Sequence, residues 1–400
     1  MSANLKEESP SPLPENWHGR AAVTLTNGVV EATVLPGGGH LARWGFVGGH
    51  GAPEVNTLWE APWPTADPSS QAYATLVEEC GLDKAAARFL AAYTGHALCL
   101  DGFGPATPAE EAAGGSMHGE ASTSLWDFTR VNSSSASGSV ELPVAGLRVE
   151  RQFSLLADES VLRVEERVTN LGDAERSLHW VQHATFGAPF ATSGSARTTA
   201  SVQRGMTWPL DYEGRNLLAR DAAFTWPYAP GADGKEVDLR KIFIRHGTGL
   251  VAAAQQAEGR EHGFVAVCDE AAGLAIGYVF RTEIFPWVTL WEENGARRDA
   301  PWLGTVQARG MEFGTTPLPL GNEVVDARGP LLGTPTSRRI AGRETLRAPW
   351  LLFAAAVPQG WREIEDILVE RDEIVLVQKG EHVRVKAQGV AQFLEGVWRQ

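Results

Sequence analysis

Four short segments of this 400-residue chain combine residue types that can move protons or hold hydroxylated ligands. The first is Met117-His118-Gly119-Glu120. On a β-strand, His118 and Glu120 would project to the same face, because the side-chain period of a strand is two. A histidine beside a carboxylate can bind a polyol, share a proton with its neighbour or ligate a metal. A surface or core histidine that simply pairs with the glutamate is the structural alternative.

The second segment, residues 177–187, contains two histidines within one apolar run. Read as a strand, it divides into two faces. Two histidines on one face could donate and accept protons near neutral pH, whereas buried and hydrogen-bonded imidazoles are the alternative. One face carries His179, Val181, His183 and Thr185, and the other carries Trp180, Gln182 and Phe186.

The third segment, residues 285–294, is rich in aromatic residues and ends in carboxylates. Alternation predicts Phe285, Trp287 and Trp291 on one face, with Glu292 on the opposite one. An aromatic platform beside acids is typical of carbohydrate sites, because the C–H face of a sugar packs on a ring while its hydroxyls bond to carboxylates. A plain core stripe is equally compatible with the pattern.

The fourth segment, residues 309–314, places a carboxylate between two glycines on a predicted strand. Gly310 and Gly314 share the face of Glu312, and we expect them to leave open space around its side chain. A general base needs such space if a ligand is to approach closely. A salt bridge from Glu312 to Arg309 or another cation is the alternative.

The elements that must position these segments are mostly short strands. Asn27-Gly28 between two alternating runs is a strong hairpin signal, and many further short runs are separated by turn residues, which predicts a sandwich or barrel. Helix signals are few and concentrate in an insertion over residues 48–117. They predict helices over 70–79 and 83–93 and a short helix capped by Thr107, while further strand predictions include 177–187 and 241–246.

Composition excludes several classes of function. Lys+Arg 35 against Asp+Glu 49 gives a net charge of −14, so we expect no nucleic-acid partner. The three cysteines show no CxxC spacing, so we expect neither a disulfide framework nor a zinc ribbon. This low cysteine content favours a location in the reducing cytoplasm. No apolar run is long enough to span a membrane. We expect a disordered leader over residues 1–15, without a targeting signal, and a single domain over 16–400.

Taken together, the segments resemble the aldose 1-epimerases, or galactose mutarotases. The hairpin over residues 27–39 resembles the start of that family. His118-Gly119 is similar to its first active-site histidine, and 182–187 to the strand that carries its second, proton-donating histidine. Glu312 is similar to its catalytic base. Arg88 is the candidate counterpart of an arginine that precedes the first histidine.

The resemblance implies a fold and a reaction. The fold would be all-β, an antiparallel β-supersandwich with a few short helices in the early insertion. The reaction would interconvert sugar anomers without cofactor or metal, with Glu312 as base and His183 as acid. His118, Glu120, Trp291 and Glu292 would bind a small sugar substrate.

Two other functions compete with this hypothesis. A non-catalytic carbohydrate-binding protein could keep the aromatic platform and the polar cleft on the same fold. A metal-dependent sugar isomerase could use His118, Glu120 and His183 as a set of two histidines and one carboxylate. Binding without anomer exchange would favour the first alternative, and bound metal would favour the second.

Overall fold

The computed structural model describes residues 15–48, 50–192 and 194–395. The early strands are β1 (Glu15–Trp17), β2 (Arg20–Thr26), β3 (Val30–Leu35), β4 (His40–Phe46), β5 (His96–Leu100), β6 (Asp127–Asn132), β7 (Ser135–Leu142), β8 (Leu147–Leu155), β9 (Val161–Asn170), β10 (Arg176–Leu178), β11 (Trp180–Gly187), β12 (Ala196–Ala200) and β13 (Val202–Thr207). The later strands are β14 (Ala223–Thr225), β15 (Tyr228–Pro230), β16 (Glu236–Asp238), β17 (Thr248–Gln256), β18 (His262–Asp269), β19 (Leu274–Arg281), β20 (Trp287–Asn294), β21 (Gln307–Gly314), β22 (Arg338–Ile340), β23 (Thr345–Ala356), β24 (Asp366–Val369), β25 (Glu373–Gln378) and β26 (Glu381–Lys386). The helices are α1 (Gln71–Glu79), α2 (Lys84–Ala92), α3 (Pro108–Ala112), α4 (Asn322–Arg328) and α5 (Val390–Glu395).

Two large antiparallel sheets form the body of the protein. The first has 13 strands in the order β1-β2-β3-β4-β5-β11-β21-β20-β17-β13-β14-β15-β16. The second has eight strands in the order β12-β18-β19-β23-β9-β8-β7-β6. Their facing sides bury one continuous apolar core, to which Leu98 and Phe186 contribute from the first sheet and Val164 and Trp350 from the second. The predicted all-β, antiparallel sandwich is therefore confirmed.

Local sequence signals set the first hairpin and the helix ends. The Asn27 side chain accepts a hydrogen bond from the Val29 backbone N–H at 3.0 Å, and Gly28 has a φ of 85°, which glycine adopts without strain. Ser70 and Asp83 cap α1 and α2, and Thr107 forms the predicted capping box of α3. The helices of the insertion are confirmed.

Other predictions of secondary structure were wrong or incomplete. Residues 241–246 form no strand, and the run 177–187 is interrupted at His179, between β10 and β11. Strand β5 was not predicted, although it lies directly beside β11. All five of its residues are buried, so the sequence lacks the alternation of apolar and polar residues that marks a half-exposed strand.

The last part of the described chain covers the outer face of the eight-stranded sheet. Strands β24–β26 form a small antiparallel sheet, and α5 follows it. Ile367, Leu376 and Leu394 from these elements pack in one cluster with Phe264 and Phe353 of the larger sheet. The single domain over residues 16–400 stays a prediction.

Two predictions concern the start of the chain and its location. The predicted leader, residues 1–15, lies outside the described residues except for Glu15, where β1 begins. No helix within the described ranges has the length and apolar character needed to cross a bilayer. The cytoplasmic location stays a prediction.

Candidate active site

A cavity of about 400 Å³ lies against four neighbouring strands of the 13-stranded sheet. These strands are β11, β21, β20 and β17, and they contribute His183, Glu312, Trp291 and Val251 to the lining. Helix α2 and several loops form the remaining walls. Because alternate residues of a strand point to opposite faces, these side chains leave the sheet on the side away from the sandwich core.

His183 and Glu312 meet at the floor of this cavity. The backbone pairs Gln182–Phe313 and Thr185–Gly310 set the register of β11 and β21, and this register places His183 opposite Glu312. The His183 Nε2 and Glu312 Oε1 atoms lie 3.4 Å apart. The sequence analysis named these two residues as acid and base, and the fold brings them into direct contact.

Burial changes the proton affinity of both groups. The side chains of His183 and Glu312 are 6% and 2% exposed. Loss of hydration lowers the pKa of His183 to about 4 and raises the pKa of Glu312 well above its ordinary value. Between these limits the pair holds one dissociable proton and no net charge, whichever partner carries it. The two shifts place the proton on Glu312 in the resting pair, and its transfer to His183 leaves the pair without net charge.

The second ring nitrogen of His183 is fixed by two hydroxyl groups. Its Nδ1 atom lies 2.9 Å from the Tyr93 hydroxyl and 3.1 Å from Thr185 Oγ1, and the two hydroxyls also contact each other. Burial raises the pKa of Tyr93 well above its ordinary value, so it stays a phenol. Sequence reasoning predicted the helix that ends near Tyr93 but gave no signal that this side chain reaches a histidine 90 positions away.

His118 lines the same cavity and is held in one tautomer. Its Nδ1 atom accepts a hydrogen bond from the Gly104 N–H at 3.2 Å, and its own backbone N–H donates to Gly104 O at 2.9 Å. Burial lowers the pKa of His118 well below its ordinary value, so the ring is neutral. With Nδ1 acting as an acceptor, the proton lies on Nε2, and His118 is a hydrogen-bond donor through that atom.

The prediction that Glu120 accompanies His118 was wrong. Residues 117–120 form a turn, with a φ of 64° at His118, so strand alternation does not apply. The Glu120 carboxylate instead accepts the backbone N–H groups of Val144 and Ala145, at 3.0 and 3.2 Å. His118, Glu120 and His183 are therefore not assembled as metal ligands. Across the described ranges, no group of three His, Cys, Asp or Glu side chains is placed to hold a metal ion.

The aromatic segment is only partly at the site. Trp291 lines the cavity as predicted. Glu292 was predicted to line it as well, but it points into the core, 3.4 Å from Arg309, and accepts the Phe243 N–H. Phe285 precedes β20 and packs in the core between the sheets, so it does not share the face of Trp291.

The two glycines beside Glu312 do not leave open space. A Cβ atom on Gly310 would lie 2.5 Å from Glu312 Oε1 and 3.2 Å from Trp291 Cβ, so the carboxyl group and the tryptophan already fill that position. A Cβ on Gly314 would lie 2.6 Å from Val181. The prediction of free space was wrong, but Gly310 does have a role, because any side chain there would displace the carboxylate.

Contacts of Tyr212, Arg297 and Trp302 shape the cavity around Trp291 and were not predicted from the sequence. Trp291 Nε1 donates to the Tyr212 hydroxyl at 2.9 Å, and that hydroxyl donates to the Glu293 carboxylate at 2.9 Å. The Arg297 guanidinium lies 4.7 Å from the centre of the Tyr212 ring and 4.8 Å from that of Trp302. Tyr212, Arg297 and Trp302 lie in loops, where the sequence has no period that could predict their position.

Two candidate functional residues from the sequence, Arg88 and His179, lie outside the cavity. Arg88 donates to the backbone carbonyls of Glu111 and Gly115, at 3.2 and 2.7 Å, and so holds the loop after α3. His179 lies before β11 and contacts Thr316 Oγ1 through Nδ1 at 2.9 Å. Neither of them lines the cavity.

Comparison with known proteins identifies the fold. No protein-family profile and no curated protein sequence matches this chain. Among solved structures, it is similar to a galactose mutarotase-like protein from Clostridium acetobutylicum, with a TM-score of 0.55 and 13% identity over 86% of this chain and 98% of that one. The chain has the galactose mutarotase-like β-sandwich fold.

Two further structures agree with this fold. A candidate aldose 1-epimerase from Escherichia coli K12 has a TM-score of 0.54 at 14% identity, covering 84% of this chain and 99% of that one. A galactose mutarotase-related enzyme from Lactobacillus acidophilus has a TM-score of 0.52 at 11% identity, covering 84% and 99%. At these identities the similarity concerns the fold alone.

Proposed function

We propose that this protein is an aldose 1-epimerase-like enzyme that interconverts the anomers of a cyclic sugar by general acid–base catalysis. The observation that carries the proposal is the His183–Glu312 pair, which holds one proton between its two members at the floor of an aromatic-lined cavity. The similar folds of proteins named as mutarotase-related support the same reaction class.

The reaction needs one proton removed and one delivered. The pKa shifts leave the proton on Glu312 in the resting pair, so it first moves across the 3.4 Å contact to His183 Nε2. Glu312 then takes the proton of the anomeric hydroxyl while His183 protonates the ring oxygen, and the bond between C1 and the ring oxygen breaks to give the open-chain aldehyde. Rotation about C1–C2 followed by the reverse transfers closes the ring on the other face. The anomeric and ring oxygens are bonded to the same carbon, so two groups 3.4 Å apart can serve both.

The other cavity residues would hold the sugar during these transfers. His118 donates from Nε2 to a ring or hydroxyl oxygen, and the Trp291 ring packs against a C–H face of the sugar. The hydroxyls of Tyr93 and Thr185 contact His183 Nδ1 and each other, so we assign both as positioning residues. A correctly placed acid–base pair contributes roughly 10²–10⁴-fold to the rate.

Anomer exchange measured by magnetisation-transfer NMR tests the proposal. The panel contains free aldoses and O-methylated aldoses, with wild type beside Glu312→Gln. We expect accelerated exchange in the wild type and a loss of roughly 10²–10⁴-fold in the variant, because the amide cannot accept the anomeric proton. Glu120→Gln is the matched control, since that carboxylate bonds to backbone outside the cavity.

Two results would contradict the proposal. Exchange that persists in Glu312→Gln would remove that residue from the chemistry. Saturation-transfer contacts with sugars but no accelerated exchange on any member of the panel would favour the alternative, a non-catalytic sugar-binding protein.

A further inference from the structure

The inner walls of the cavity are far less polar than a fully hydroxylated sugar requires. Above the floor, the lining is formed largely by aromatic and aliphatic side chains. Every hydroxyl that a ligand buries without a partner weakens binding by about tenfold or more, because its hydrogen bonds to water are lost. The principal apolar side chains are Phe89, Leu90, Trp208, Val251, Trp291 and Trp302.

Three polar side-chain groups within these walls are already engaged by the protein, whereas Trp208 Nε1 is buried without a hydrogen-bond partner among the described residues. The Thr289 hydroxyl donates to Pro317 O at 2.6 Å, and Trp291 Nε1 donates to the Tyr212 hydroxyl at 2.9 Å. Tyr93 is occupied by His183 Nδ1 and Thr185. Apart from the indole nitrogen of Trp208, the polar groups left for a ligand below the rim are concentrated at the floor, where His118, His183 and Glu312 meet. That set suits the anomeric centre but not a ring of further hydroxyls.

The rim of the cavity is acidic. Asp83, Glu213 and Asp299 line it and are exposed to solvent. Among the described residues that line the cavity, Arg297 supplies the one guanidinium. It lies between two aromatic rings and is 3.6 Å from Glu213 and 3.8 Å from Glu293. A phosphate group entering here would meet three carboxylates and one cation that is already paired, which disfavours an anionic ligand.

From these three observations we infer that the cavity takes a neutral aldose whose hydroxyls are replaced or masked by apolar groups, with only the anomeric centre left free. This inference rests on the proposed function for where the anomeric centre lies. The apolar substituents contact the aromatic and aliphatic walls, and the hemiacetal reaches His118, His183 and Glu312. A sugar phosphate and an unsubstituted hexose are disfavoured, the first by charge and the second by unpaired hydroxyls.

Binding by full-length protein tests the inference independently of catalysis. The probes are tetra-O-methylglucose, whose anomeric hydroxyl alone is free, glucose, and the phosphate monoester of glucose at its primary hydroxyl. The readout is intrinsic tryptophan fluorescence, since three tryptophans line the cavity. We expect the Kd of the methylated sugar to be at least about tenfold below that of glucose, and the phosphate ester to bind weakest.

A wall variant sharpens this test. Val251→Thr keeps the size of the side chain but adds a hydroxyl to the wall, so the preference for the methylated sugar over glucose should shrink several-fold. Val324→Thr, at an exposed position of α4 outside the cavity, is the matched control and should leave the preference unchanged.

The outcomes separate this inference from the proposed function. Glucose binding as tightly as the methylated sugar, or no saturation by the methylated sugar up to its solubility limit, would overturn the inference. Tight binding of the methylated sugar without accelerated anomer exchange would leave the inference standing and defeat the proposed function.

Discussion

Two buried carboxylates lie on opposite sides of strand β11 and have opposite surroundings. Glu166, on β9, lies between the sheets and accepts hydrogen bonds from Arg151 at 2.6 Å, Trp180 Nε1 at 2.9 Å and Gln182 at 2.6 Å. Glu312, on the cavity side, has His183 at 3.4 Å as its polar partner among the described residues. Both residues are at most 2% exposed.

The difference separates a structural charge from a reactive one. A buried carboxylate that is matched by a cation and further donors ties together the elements that supply them. A buried carboxylate with a single weak partner keeps its proton more tightly and can exchange it with that partner. Strand β11 contacts both carboxylates, because Gln182 donates a hydrogen bond to Glu166 while the next residue, His183, faces Glu312.

The largest effect is expected from neutralising the core carboxylate. Glu166→Gln leaves Arg151 buried without its counter-ion, so the free energy of unfolding should fall by about 3–5 kcal/mol. Glu312→Gln, the matched change on the other side of the strand, should alter it by less than about 1 kcal/mol at neutral pH or increase it. Urea unfolding followed by fluorescence measures both, and equal losses in the two variants would refute the comparison.

The next effect is a pH dependence that only the cavity carboxylate should produce. The pKa of Glu312 in the folded protein lies above its value of about 4.5 in the unfolded chain. The Glu312 carboxyl therefore contributes fully to the free energy of unfolding below pH 4.5, and this contribution is lost as the pH rises through the folded pKa. The wild type should therefore lose stability relative to Glu312→Gln above pH 4.5, by up to about 1.4 kcal/mol per pH unit.

Unfolding curves of wild type and variant over this pH range check that slope. Glu283→Gln, an exposed position outside the cavity, provides the baseline for a surface charge. A stability difference between wild type and Glu312→Gln that stays flat with pH would show that burial does not raise the pKa of Glu312.

The pair at the cavity floor was predicted from the resemblance to the aldose 1-epimerases, and strand periodicity agrees with the face on which each residue lies. β11 and β21 are regular over His183 and Glu312, so parity, the alternation of side chains between the two faces of a strand, assigned the faces of both residues correctly. Parity failed at Glu120, where the chain turns at a residue with positive φ. At Phe285 it failed because the residue precedes its strand. At Glu292 alternation was correct, since it placed this residue on the face opposite Trp291, and the assignment of Glu292 to the cavity was wrong.

The rest of the site depends on long-range packing that periodicity does not encode. Tyr93 reaches His183 because α2 packs over the cavity. Trp302 and Arg297 come from a loop after β20, and β5 is buried on both faces. In each case the local sequence is compatible with many placements, and the sheet order, which the sequence pattern does not specify, selects one of them.

The smallest expected effect concerns the hydroxyls that hold His183. Tyr93→Phe removes one partner of Nδ1 and leaves Thr185 Oγ1 at 3.1 Å, so kcat for anomer exchange should fall by about fivefold, the equivalent of one hydrogen bond, while KM stays unchanged. Thr185→Val should act similarly, and the double variant should fall by more than the product of the two, because Nδ1 then has neither hydroxyl. A rise in KM with unchanged kcat would mean that Tyr93 contacts the sugar instead of orienting the imidazole.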